Sequence, residues 1–391
     1  MRIFGIALAA ALLAGCASAP GESTLAERVE VYPTQPSEAI PLEDQQVLFW
    51  NDATRADRFR RMEDFFAGIE AARAGDVREL AAGPPLPAET AAAVDAFLAS
   101  SNAAGIMVID DVKVRYEQYG LGFGPEQRWT SFSVAKSFTS TLLGAAVADG
   151  LIGSMDDPVT RYIPELAGTA YEGVSVEQLA TMTSGVKWNE DYTDPNSDVA
   201  KMLNVAPVPG ESQAVTYART LEREAPAGEK WVYKTLETNL LGVLVEEATG
   251  RSLADYAKEK IVDPAGFAGD LFWMTDLTGG NIGGCCLSIR LSDYARFGQF
   301  VLEDGKGVVP QGWFAEATGK QVGFDTPGFG YGYQWWTYPG AYGAQGIFGQ
   351  AITIVPEDRL VVAVVSSWPV ASSRDLRLQW GGLVQAIAAA D

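Results

Sequence analysis

Residues 130–140 read Thr-Ser-Phe-Ser-Val-Ala-Lys-Ser-Phe-Thr-Ser and open the stretch that decides this fold. The stretch continues with small and apolar residues, contains no proline, and stops at Gly150. Apolar side chains lie on all sides of the projected helix, so we predict one buried helix that is packed closely all round. Ser133 and Lys136 are three residues apart and therefore share one face of that helix.

A serine hydroxyl is a poor nucleophile until a neighbouring base takes its proton, and Lys136 is placed to be that base. The positive N-terminal end of the helix also favours the negative charge that develops in such a reaction. On this motif alone, a buried helix start without any chemistry explains Ser133 equally well, because such short matches also arise by chance. The rest of the sequence has to decide between the two.

A second Ser-x-x-Lys match begins at Ser184 and ends at Lys187. Gly185 directly follows that serine and predicts a turn, so the two side chains need not share a face. The helical context therefore favours Ser133 as the nucleophile.

The chain has 391 residues, of which 47% are hydrophobic and 20% are charged. This balance is typical of a globular protein with ample core. Its 29 basic and 50 acidic residues give a net charge of −21. A surface this acidic repels phosphate backbones, so we expect no nucleic-acid partner.

No histidine occurs in the sequence. The absence of imidazole excludes a Ser-His-Asp triad, a Cys-His pair and the histidine-based zinc motifs. A Gly-x-Ser-x-Gly nucleophile elbow is also missing. If the protein is a hydrolase, its base is Lys, Tyr, Asp or Glu, and Lys136 beside Ser133 is the leading candidate. We expect neither a metal ion nor an organic cofactor.

Residues 1–15 combine one arginine with a short apolar run, which predicts a secretory signal peptide rather than a membrane span. The segment ends as Leu-Ala-Gly-Cys, which resembles a bacterial lipobox and makes Cys16 the predicted lipid-attachment residue. The alternative is an ordinary signal peptide cut after Ala17 or Ala19, which would discard Cys16. Because alanine follows Cys16, we expect a lipid anchor in the outer membrane, on the periplasmic side of the envelope. Residues 16–43 are predicted to be a tether.

The domain predicted at residues 44–391 shows strand patterns towards both ends. Hairpins are predicted at residues 105–110 with 112–118, and at 351–355 with 360–365. Helices are predicted at residues 57–79, 88–99 and 374–389, and a helical subdomain at about 150–270. After the first hairpin, strand patterns return only near the end of the chain.

Strands at both ends of a domain must share one sheet or leave bare edges. We therefore predict an α+β fold in which N- and C-terminal strands form one antiparallel sheet. Helices flank this sheet, and a large helical insertion separates its two sets of strands.

Two cysteines are adjacent in the sequence, at Cys285 and Cys286. Neighbouring residues are too close for an unstrained bridge, so we expect a buried pair of small apolar side chains. A redox role is the alternative.

Several ordered motifs appear along the domain and together are more specific than any one of them. They are Ser-Phe-Ser-Val-Ala-Lys-Ser-Phe-Thr-Ser at 131–140, Met-Thr-Ser-Gly-Val-Lys-Trp-Asn-Glu-Asp-Tyr at 182–192, Pro-Ala-Gly-Glu-Lys-Trp-Val-Tyr-Lys-Thr at 226–235, Leu-Ser-Asp-Tyr-Ala-Arg-Phe-Gly at 291–298 and Gly-Ile-Phe-Gly-Gln at 346–350. This series resembles the serine β-lactamase and penicillin-binding-protein superfamily. Within it, the chain is most similar to the class C-related esterases and the 6-aminohexanoate-dimer (nylon-oligomer) hydrolases. The resemblance covers about residues 44–388 and implies a β-lactamase-like fold.

The resemblance also implies roles for individual residues. Ser133 would be the nucleophile, and Lys136 its proton acceptor or the charge that tunes it. Tyr233 would protonate the leaving group and later activate water. The backbone N–H groups of Ser133 and Ile347 would form the oxyanion hole. Which of Lys136 and Tyr233 is the acylation base stays open.

Tyr192 matches a substrate-contacting tyrosine of the nylon-oligomer hydrolases, and Trp188 lies close to it in the sequence. Taken alone, aromatic residues in such a segment are more often packing residues. We expect both to contact substrate and to give an apolar wall suited to acyl chains or short linear amides.

Two motifs depart from the β-lactamase pattern. Tyr233 is followed by Lys234 and Thr235 where β-lactamases usually have Tyr-x-Asn. Residues 344–346 read Ala-Gln-Gly where lactamases and peptidases carry Lys-x-Gly and many esterases His-x-Gly. Gln345 would meet substrate with neutral hydrogen bonds only, so the usual cationic partner of a substrate carboxylate is missing.

These observations predict a serine hydrolase that cleaves small amides or esters through an acyl-enzyme. The alternatives are a β-lactamase or D-Ala-D-Ala carboxypeptidase, and a catalytically silent ligand-binding homologue. Intact Ser133, Lys136 and Tyr233 argue against the silent homologue.

Overall fold

The computed structural model describes residues 36–38 and 46–390, which fold around two β-sheets. In chain order the strands of this part are β1 Gly68–Ala71, β2 Ala81–Ala82, β3 Ala103–Asp110, β4 Lys113–Tyr119, β5 Trp129–Thr130, β6 Leu271–Met274, β7 Leu287–Ile289, β8 Val322–Gly323, β9 Gly330–Tyr331, β10 Trp336–Tyr338, β11 Ala341–Gly346, β12 Gln350–Val355 and β13 Leu360–Ser366.

The larger sheet has the strand order β2-β4-β3-β13-β12-β11-β10-β9-β8. Its neighbouring strands are antiparallel except for β2 and β4, which run parallel. In its centre β13 pairs with β3, from Leu360 opposite Asp110 to Ser366 opposite Ala103. The N- and C-terminal strands therefore share one sheet, as predicted, and the α+β, β-lactamase-like fold class is confirmed.

Helices cover both faces of the sheet. In chain order they are α1 Asp52–Phe59, α2 Met62–Phe65, α3 Ala88–Ser100, α4 Ala135–Ala148, α5 Val176–Ala180, α6 Asp198–Lys201, α7 Gln213–Ala218, α8 Thr235–Thr249, α9 Leu253–Ala257, α10 Asp263–Ala265, α11 Leu291–Leu302, α12 Trp313–Ala317 and α13 Arg374–Ala388. A single π-helical turn, Lys258–Val262, joins α9 to α10.

Alternate residues of the central strands bury against different helices, as the two-residue period of a strand requires. Val108 and Val362 belong to the core that α3 and α13 form with Phe97 and Trp380. On the opposite face α11 covers the sheet, and its Phe297 stacks on Phe138 of α4 with the ring centroids 3.7 Å apart. The centre of the molecule is thus sheet, α11 and α4 in succession.

Helix α4 is the buried helix that the sequence predicts, since residues 135–146 are all buried. A Cβ atom at Gly144 would lie only 2.5 Å from the Trp313 ring, so the close packing requires a glycine there. The helix ends before Gly150, which has a φ of +72°. Its start differs from the prediction, because residues 132–134 form a separate 3₁₀ turn ahead of α4.

The predicted helix at 57–79 is wrong. The segment contains the end of α1, the short α2 and then β1, which pairs with β6 in a second sheet of order β1-β6-β7-β5. A Cβ atom at Gly68 would lie 2.3 Å from the Phe272 ring, so the chain approaches β6 as bare backbone. This tertiary pairing overrides the local helical pattern. Strands also return earlier than predicted, at β6, β7 and β8–β10.

Between residues 150 and 270, the range of the predicted helical subdomain, the structure contains helices α5–α10. Short helices and long turns alternate there, and four of these helices have serine N-caps that accept a backbone N–H. The insertion brings the segments 182–192 and 226–234 to the N-terminal end of α4.

The predicted signal peptide at 1–15 and Cys16 lie outside the described residues, as does the 16–43 tether apart from residues 36–38. There Ser37 Oγ donates to Asp64 Oδ1 at 3.1 Å. Among the described residues, no helix has the length and apolar character needed to cross a bilayer.

Candidate active site

The candidate nucleophile lies at a sharp turn between the two sheets. Ser133 is the middle residue of the 3₁₀ turn that joins β5 to α4, and its side chain is partly exposed. The residue before it, Phe132, has a φ of +45°, which is strained for a residue with a side chain. The turn therefore presents Ser133 at the N-terminal end of a buried helix.

Lys136 lies one turn further along, and its side chain is almost completely buried. Its Nζ is 3.3 Å from Ser133 Oγ, 3.0 Å from Thr235 Oγ1 and 2.8 Å from the carbonyl oxygen of Gly284. Burial lowers the pKa of Lys136 to about 7, although the nearby carboxylate of Glu190 opposes that shift. At neutral pH a large share of Lys136 is therefore an uncharged amine with a free electron pair.

Tyr233 lies just before α8, and its ring faces the amine of Lys136. The Lys136 Nζ lies 5.3 Å from the centroid of its ring, and the Ser133 hydroxyl lies near enough to its phenol to act on the pKa of Tyr233. Burial and the charge of Glu190 raise the pKa of Tyr233 above its ordinary value, so the group stays a neutral phenol. Trp336 stacks beside it with an interplanar angle of 21°.

The end of β11 closes the site on another side. A Cβ atom at Gly346 would lie 2.5 Å from the carbonyl oxygen of Ser131, so the strand passes directly against the nucleophile turn. Ile347 opens the 3₁₀ turn that follows, and Phe348 within it has a φ of +57°. The structure thus brings the predicted oxyanion-hole residues, Ser133 and Ile347, onto two adjacent turns.

Aromatic packing holds both turns in their strained conformations. The Phe132 and Phe348 rings are 5.4 Å apart, and Phe59 of α1 contacts both, at 4.9 and 5.4 Å. Arg55 of α1 lies over the Phe348 ring and donates to the carbonyl oxygen of Trp368. Helix α1 therefore packs against the turns that carry Ser133 and Ile347.

The two aromatic residues predicted to contact substrate lie around a carboxylate. Trp188 Nε1 donates to Glu190 Oε2, and the Tyr192 hydroxyl donates to Glu190 Oε1 at 2.8 Å. The Trp188 ring is buried and packs edge-on against Tyr217, whereas Tyr192 stays partly exposed. Their contact with substrate stays a prediction.

The β11 side chains leave a neutral wall, as the sequence indicates. Ala344 is buried, and Gln345 Nε2 contacts the hydroxyl of Tyr338. Helix α13 nevertheless contributes a positive charge on this side of the site. The guanidinium of Arg377 interacts electrostatically with Tyr338 and Tyr233. Burial lowers the pKa of Arg377 to about 10, which leaves it charged at neutral pH.

The donors of Arg377 are already engaged. Its Nη2 donates to the carbonyl oxygen of Gly346 at 2.5 Å, and its Nη1 to that of Gln350 at 3.4 Å. These two carbonyls flank the turn that carries Ile347. The contacts of Arg377 therefore fix the segment that carries Ile347.

The departure from Tyr-x-Asn has a structural explanation. Lys234 turns inward, fully buried, with its Nζ 3.4 Å from Glu237 Oε1 and at the same distance from the carbonyl oxygens of Met182 and Val232. Thr235 Oγ1 lies 3.0 Å from Lys136 Nζ. Threonine therefore supplies the polar contact at the third position of the Tyr-x-Asn motif.

The structure places the sulfur atoms of Cys285 and Cys286 in direct contact. Cys286 is buried, as expected, whereas Cys285 is only partly buried, so the predicted buried pair is met by one of the two residues. Cys286 has a φ of +93°, a backbone conformation that the sequence does not announce. Gly284 lies directly before Cys285, and its carbonyl oxygen accepts a hydrogen bond from Lys136 Nζ.

Sequence reasoning missed the contacts of four residues with the candidate site, namely Glu190, Thr235, Gly284 and Arg377. Glu190 and Thr235 lie inside quoted motifs, so their places were known but their contacts were not. Arg377 carries no such signal, because it is one of several polar residues on the amphipathic helix α13. Among the described residues, no group of three or more Asp, Glu or Cys side chains could hold a metal ion.

Comparison with known families gives a match to the β-lactamase family model over residues 90–277 and 283–384. A 6-aminohexanoate-dimer hydrolase of Paenarthrobacter ureafaciens is 30% identical over 351 residues, which cover 81% of this chain and 88% of that protein.

Solved structures share the fold. A candidate 6-aminohexanoate-dimer hydrolase from Bacillus anthracis superposes with a TM-score of 0.75 at 21% identity, covering 89% of this chain and 98% of that one. A D-stereospecific amidohydrolase from Streptomyces sp. superposes with a TM-score of 0.59 at 20% identity, covering 74% and 97%.

Proposed function

The chain belongs to the β-lactamase family of serine hydrolases, and from that premise we propose that it cleaves small amides or esters through an acyl-enzyme on Ser133. The observation that carries the proposal is the convergence of three groups. Lys136 Nζ lies 3.3 Å from Ser133 Oγ, and the Tyr233 phenol lies near the same hydroxyl, with its ring centroid 5.3 Å from Lys136 Nζ. A serine with a base on one side and an acid on the other is equipped for acyl transfer.

The two pKa shifts favour Lys136 as the base and Tyr233 as the acid. Because burial lowers the pKa of Lys136 to about 7, its amine is available to accept the Ser133 proton at neutral pH. Because the pKa of Tyr233 lies above its ordinary value, the phenol keeps its proton and can donate it. Lys136 is accordingly the acylation base, and Tyr233 protonates the leaving group.

The proton balance closes over each half-reaction. In acylation the Ser133 O–H proton goes to Lys136, Oγ bonds to the carbonyl carbon, and the leaving amine or alcohol takes the Tyr233 proton. Lys136 then returns its proton to Tyr233. In deacylation a water molecule takes the place of the leaving group, and Lys136, rather than the Tyr233 that the family resemblance implies, accepts its proton. The water oxygen bonds to the acyl carbon, the bond from that carbon to Ser133 Oγ breaks, and protonated Lys136 returns the proton to Oγ.

The turns that contain Ser133 and Ile347 would stabilise the charge that develops during the reaction. The backbone N–H groups of Ser133 and Ile347 would hold the negative oxygen of the tetrahedral intermediate. One such donor is worth about 3 kcal/mol in other hydrolases. The packing of Phe59, Phe132 and Phe348 keeps these donors in place before substrate arrives.

Neutral substrates suit this site better than anionic ones. Ala344 and Gln345 stand where relatives place a cation, and the net charge of −21 repels anions over a longer range. The relative from Paenarthrobacter ureafaciens is a 6-aminohexanoate-dimer hydrolase, which supports short linear amides as one substrate class.

One observation favours a second candidate, a β-lactamase or D-Ala-D-Ala carboxypeptidase. Arg377 brings a positive charge close to Tyr233, where a substrate carboxylate could meet it. This candidate is weaker because the guanidinium already donates to the carbonyl oxygens of Gly346 and Gln350.

The experiment compares kcat/KM for nitrocefin and for p-nitrophenyl acetate or butyrate on one preparation. We expect the esters to be turned over and nitrocefin to be hydrolysed poorly or not at all. If nitrocefin is the better substrate, the second candidate is correct. If neither is hydrolysed and no linear amide is cleaved, the catalytically silent homologue is correct instead.

We further propose that Cys16 carries a lipid that attaches the protein to the periplasmic side of the outer membrane, as its Leu-Ala-Gly-Cys context indicates. Cell fractionation of the wild type beside Cys16→Ser tests this, with the wild type expected in the membrane fraction. A soluble wild-type protein whose unmodified N-terminus lies downstream of Cys16 would refute it.

A further inference from the structure

The carboxylate of Glu190 is held from four directions at the back of the site. Its Oε1 accepts from the hydroxyls of Thr235 and Tyr192, and its Oε2 accepts from Trp188 Nε1 and from the backbone N–H of Thr235. Four donors fix the orientation of both oxygens, so this carboxylate is a rigid part of the site.

The Thr235 hydroxyl connects Glu190 to the candidate base. A hydroxyl has one proton, and an ionised carboxylate can only accept. Since Thr235 gives its proton to Glu190, its oxygen can only accept from Lys136 Nζ, which lies 3.0 Å away. The hydrogen bonds are therefore donated in one direction, from Lys136 to Thr235 and from Thr235 to Glu190.

This direction decides where the electron pair of Lys136 points. A neutral amine has two N–H groups and one lone pair. The carbonyl oxygen of Gly284, 2.8 Å from Nζ, takes one N–H, and Thr235 Oγ1 takes the other. The third neighbour, Ser133 Oγ at 3.3 Å, then faces the lone pair that has to receive its proton.

We propose that Glu190 is a positioning residue of this active site, which makes Thr235 an obligate acceptor and so aims the lone pair of Lys136 at Ser133. The inference rests on the proposed function, because it explains how the proposed base is oriented. The proton moves from Ser133 Oγ to Lys136 Nζ, and Glu190 itself gains and loses none.

The charge of Glu190 adds a measurable signature. It raises the pKa of Lys136 against the larger, lowering effect of burial. Four other titratable groups face Glu190, Lys136 or their neighbours. They are Tyr192 on the same segment as Glu190, Tyr233 just before α8, Tyr331 on β9 and Arg377 on α13. Removing the charge of Glu190 should therefore lower the pKa of Lys136, and Lys136 should become a base at lower pH.

The test measures, from pH 5 to 9, the rate at which a fluorophosphonate acylates Ser133 and the kcat/KM for p-nitrophenyl butyrate. In Glu190→Gln we expect the acidic limb of both profiles to move to lower pH by about one unit, the size of effect that a nearby charge has. We also expect the plateau to fall about tenfold, because a misaimed lone pair weakens general-base catalysis. A limb that stays at the wild-type pH in a folded Glu190→Gln protein would overturn the proposal.

The matched control is Asp191→Asn, which removes the same charge from the adjacent, exposed residue. The Asp191 Oδ1 atom accepts from the N–H and hydroxyl of the nearby Thr193, contacts that asparagine can keep. Its profile should match that of the wild type. A shift as large as that of Glu190→Gln would show a general charge effect and sink the specific role.

If Glu190→Gln does not fold, Thr235→Val and Thr235→Ser give the same decision. Valine removes the acceptor and should cost about tenfold or more at every pH, whereas serine keeps the hydroxyl and should restore the rate. A wild-type rate in Thr235→Val would overturn the proposal. Failure of the wild type to react at Ser133 would instead refute the proposed function, so the two failures are distinguishable.

Discussion

The chain contains the pattern Ser-x-x-Lys twice, and the two copies have different environments. At the first copy Lys136 is buried and its Nζ lies 3.3 Å from Ser133 Oγ. At the second copy Lys187 is exposed, and the buried Ser184 instead donates its hydroxyl proton to Glu237. One copy is arranged for chemistry and the other for structure.

The backbone makes this difference. Residues 133–136 pass from a 3₁₀ turn into α4, which keeps both side chains on one face. At the second copy Gly185 has a φ of +75°, and a Cβ atom there would lie 2.0 Å from the carbonyl oxygen of Ala225. The turn sends Lys187 into solvent. Helical context and burial, rather than the pattern, therefore distinguish the candidate nucleophile from the structural serine.

The largest expected effect separates the two lysines. Lys136→Ala should lower kcat/KM for p-nitrophenyl butyrate by about 10²–10⁴-fold, because it removes the proton acceptor. Lys187→Ala, at an exposed side chain, should leave kcat/KM near the wild-type value. Steady-state kinetics on the two purified variants check this, with circular dichroism to confirm folding. Near-wild-type turnover in Lys136→Ala would remove the proposed base.

A second comparison separates two tyrosines. Tyr233→Phe should lower kcat/KM by about 10²–10⁴-fold, since the phenol protonates the leaving group. Tyr333→Phe is the control, because its hydroxyl donates to Glu177 outside the site at 2.7 Å. An ester with a good leaving group should lose less in Tyr233→Phe than a linear amide does. Equal losses for both substrates would contradict the role of Tyr233 as the acid.

The smallest expected effect concerns stability rather than rate. Ser184 is fully buried, donates to Glu237 and accepts from the N–H of Val186 at 3.0 Å. Ser184→Ala should therefore lower the free energy of unfolding by about 1.5–3 kcal/mol. Ser133→Ala, at a partly exposed position, should change it by no more than about 0.5 kcal/mol. Urea titration of both variants measures this, and the reverse ranking would mean that the two roles are exchanged.

Much of the fold was predictable because its signals are local. The hairpins β3–β4 and β12–β13, the helices α3 and α13 and the buried α4 follow from periodicity and from their turn residues. The predicted helix at 57–79 failed because β1 forms only through its pairing with β6, about 200 residues away. The sheet that contains β1 depends on such distant pairs, which no local pattern announces.

The candidate site was predictable in part for the same reason. Ser133 and Lys136 are close in sequence, and Tyr233 and Ile347 follow from motif order. Glu190 gains its place only when the insertion folds back on α8, and Arg377 only when α13 packs beside β11. The contacts of Glu190 and Arg377 depend on tertiary structure. The sequence therefore predicted neutral side chains around the site and did not place these two charged residues there.

The most direct test of the account is to identify the residue that a fluorophosphonate probe modifies. The wild-type protein is labelled, digested and sequenced by mass spectrometry, with Ser133→Ala and Ser184→Ala treated in parallel. We expect an adduct on Ser133 in the wild type and in Ser184→Ala, and no adduct in Ser133→Ala. Labelling that persists in Ser133→Ala and disappears in Ser184→Ala would contradict it.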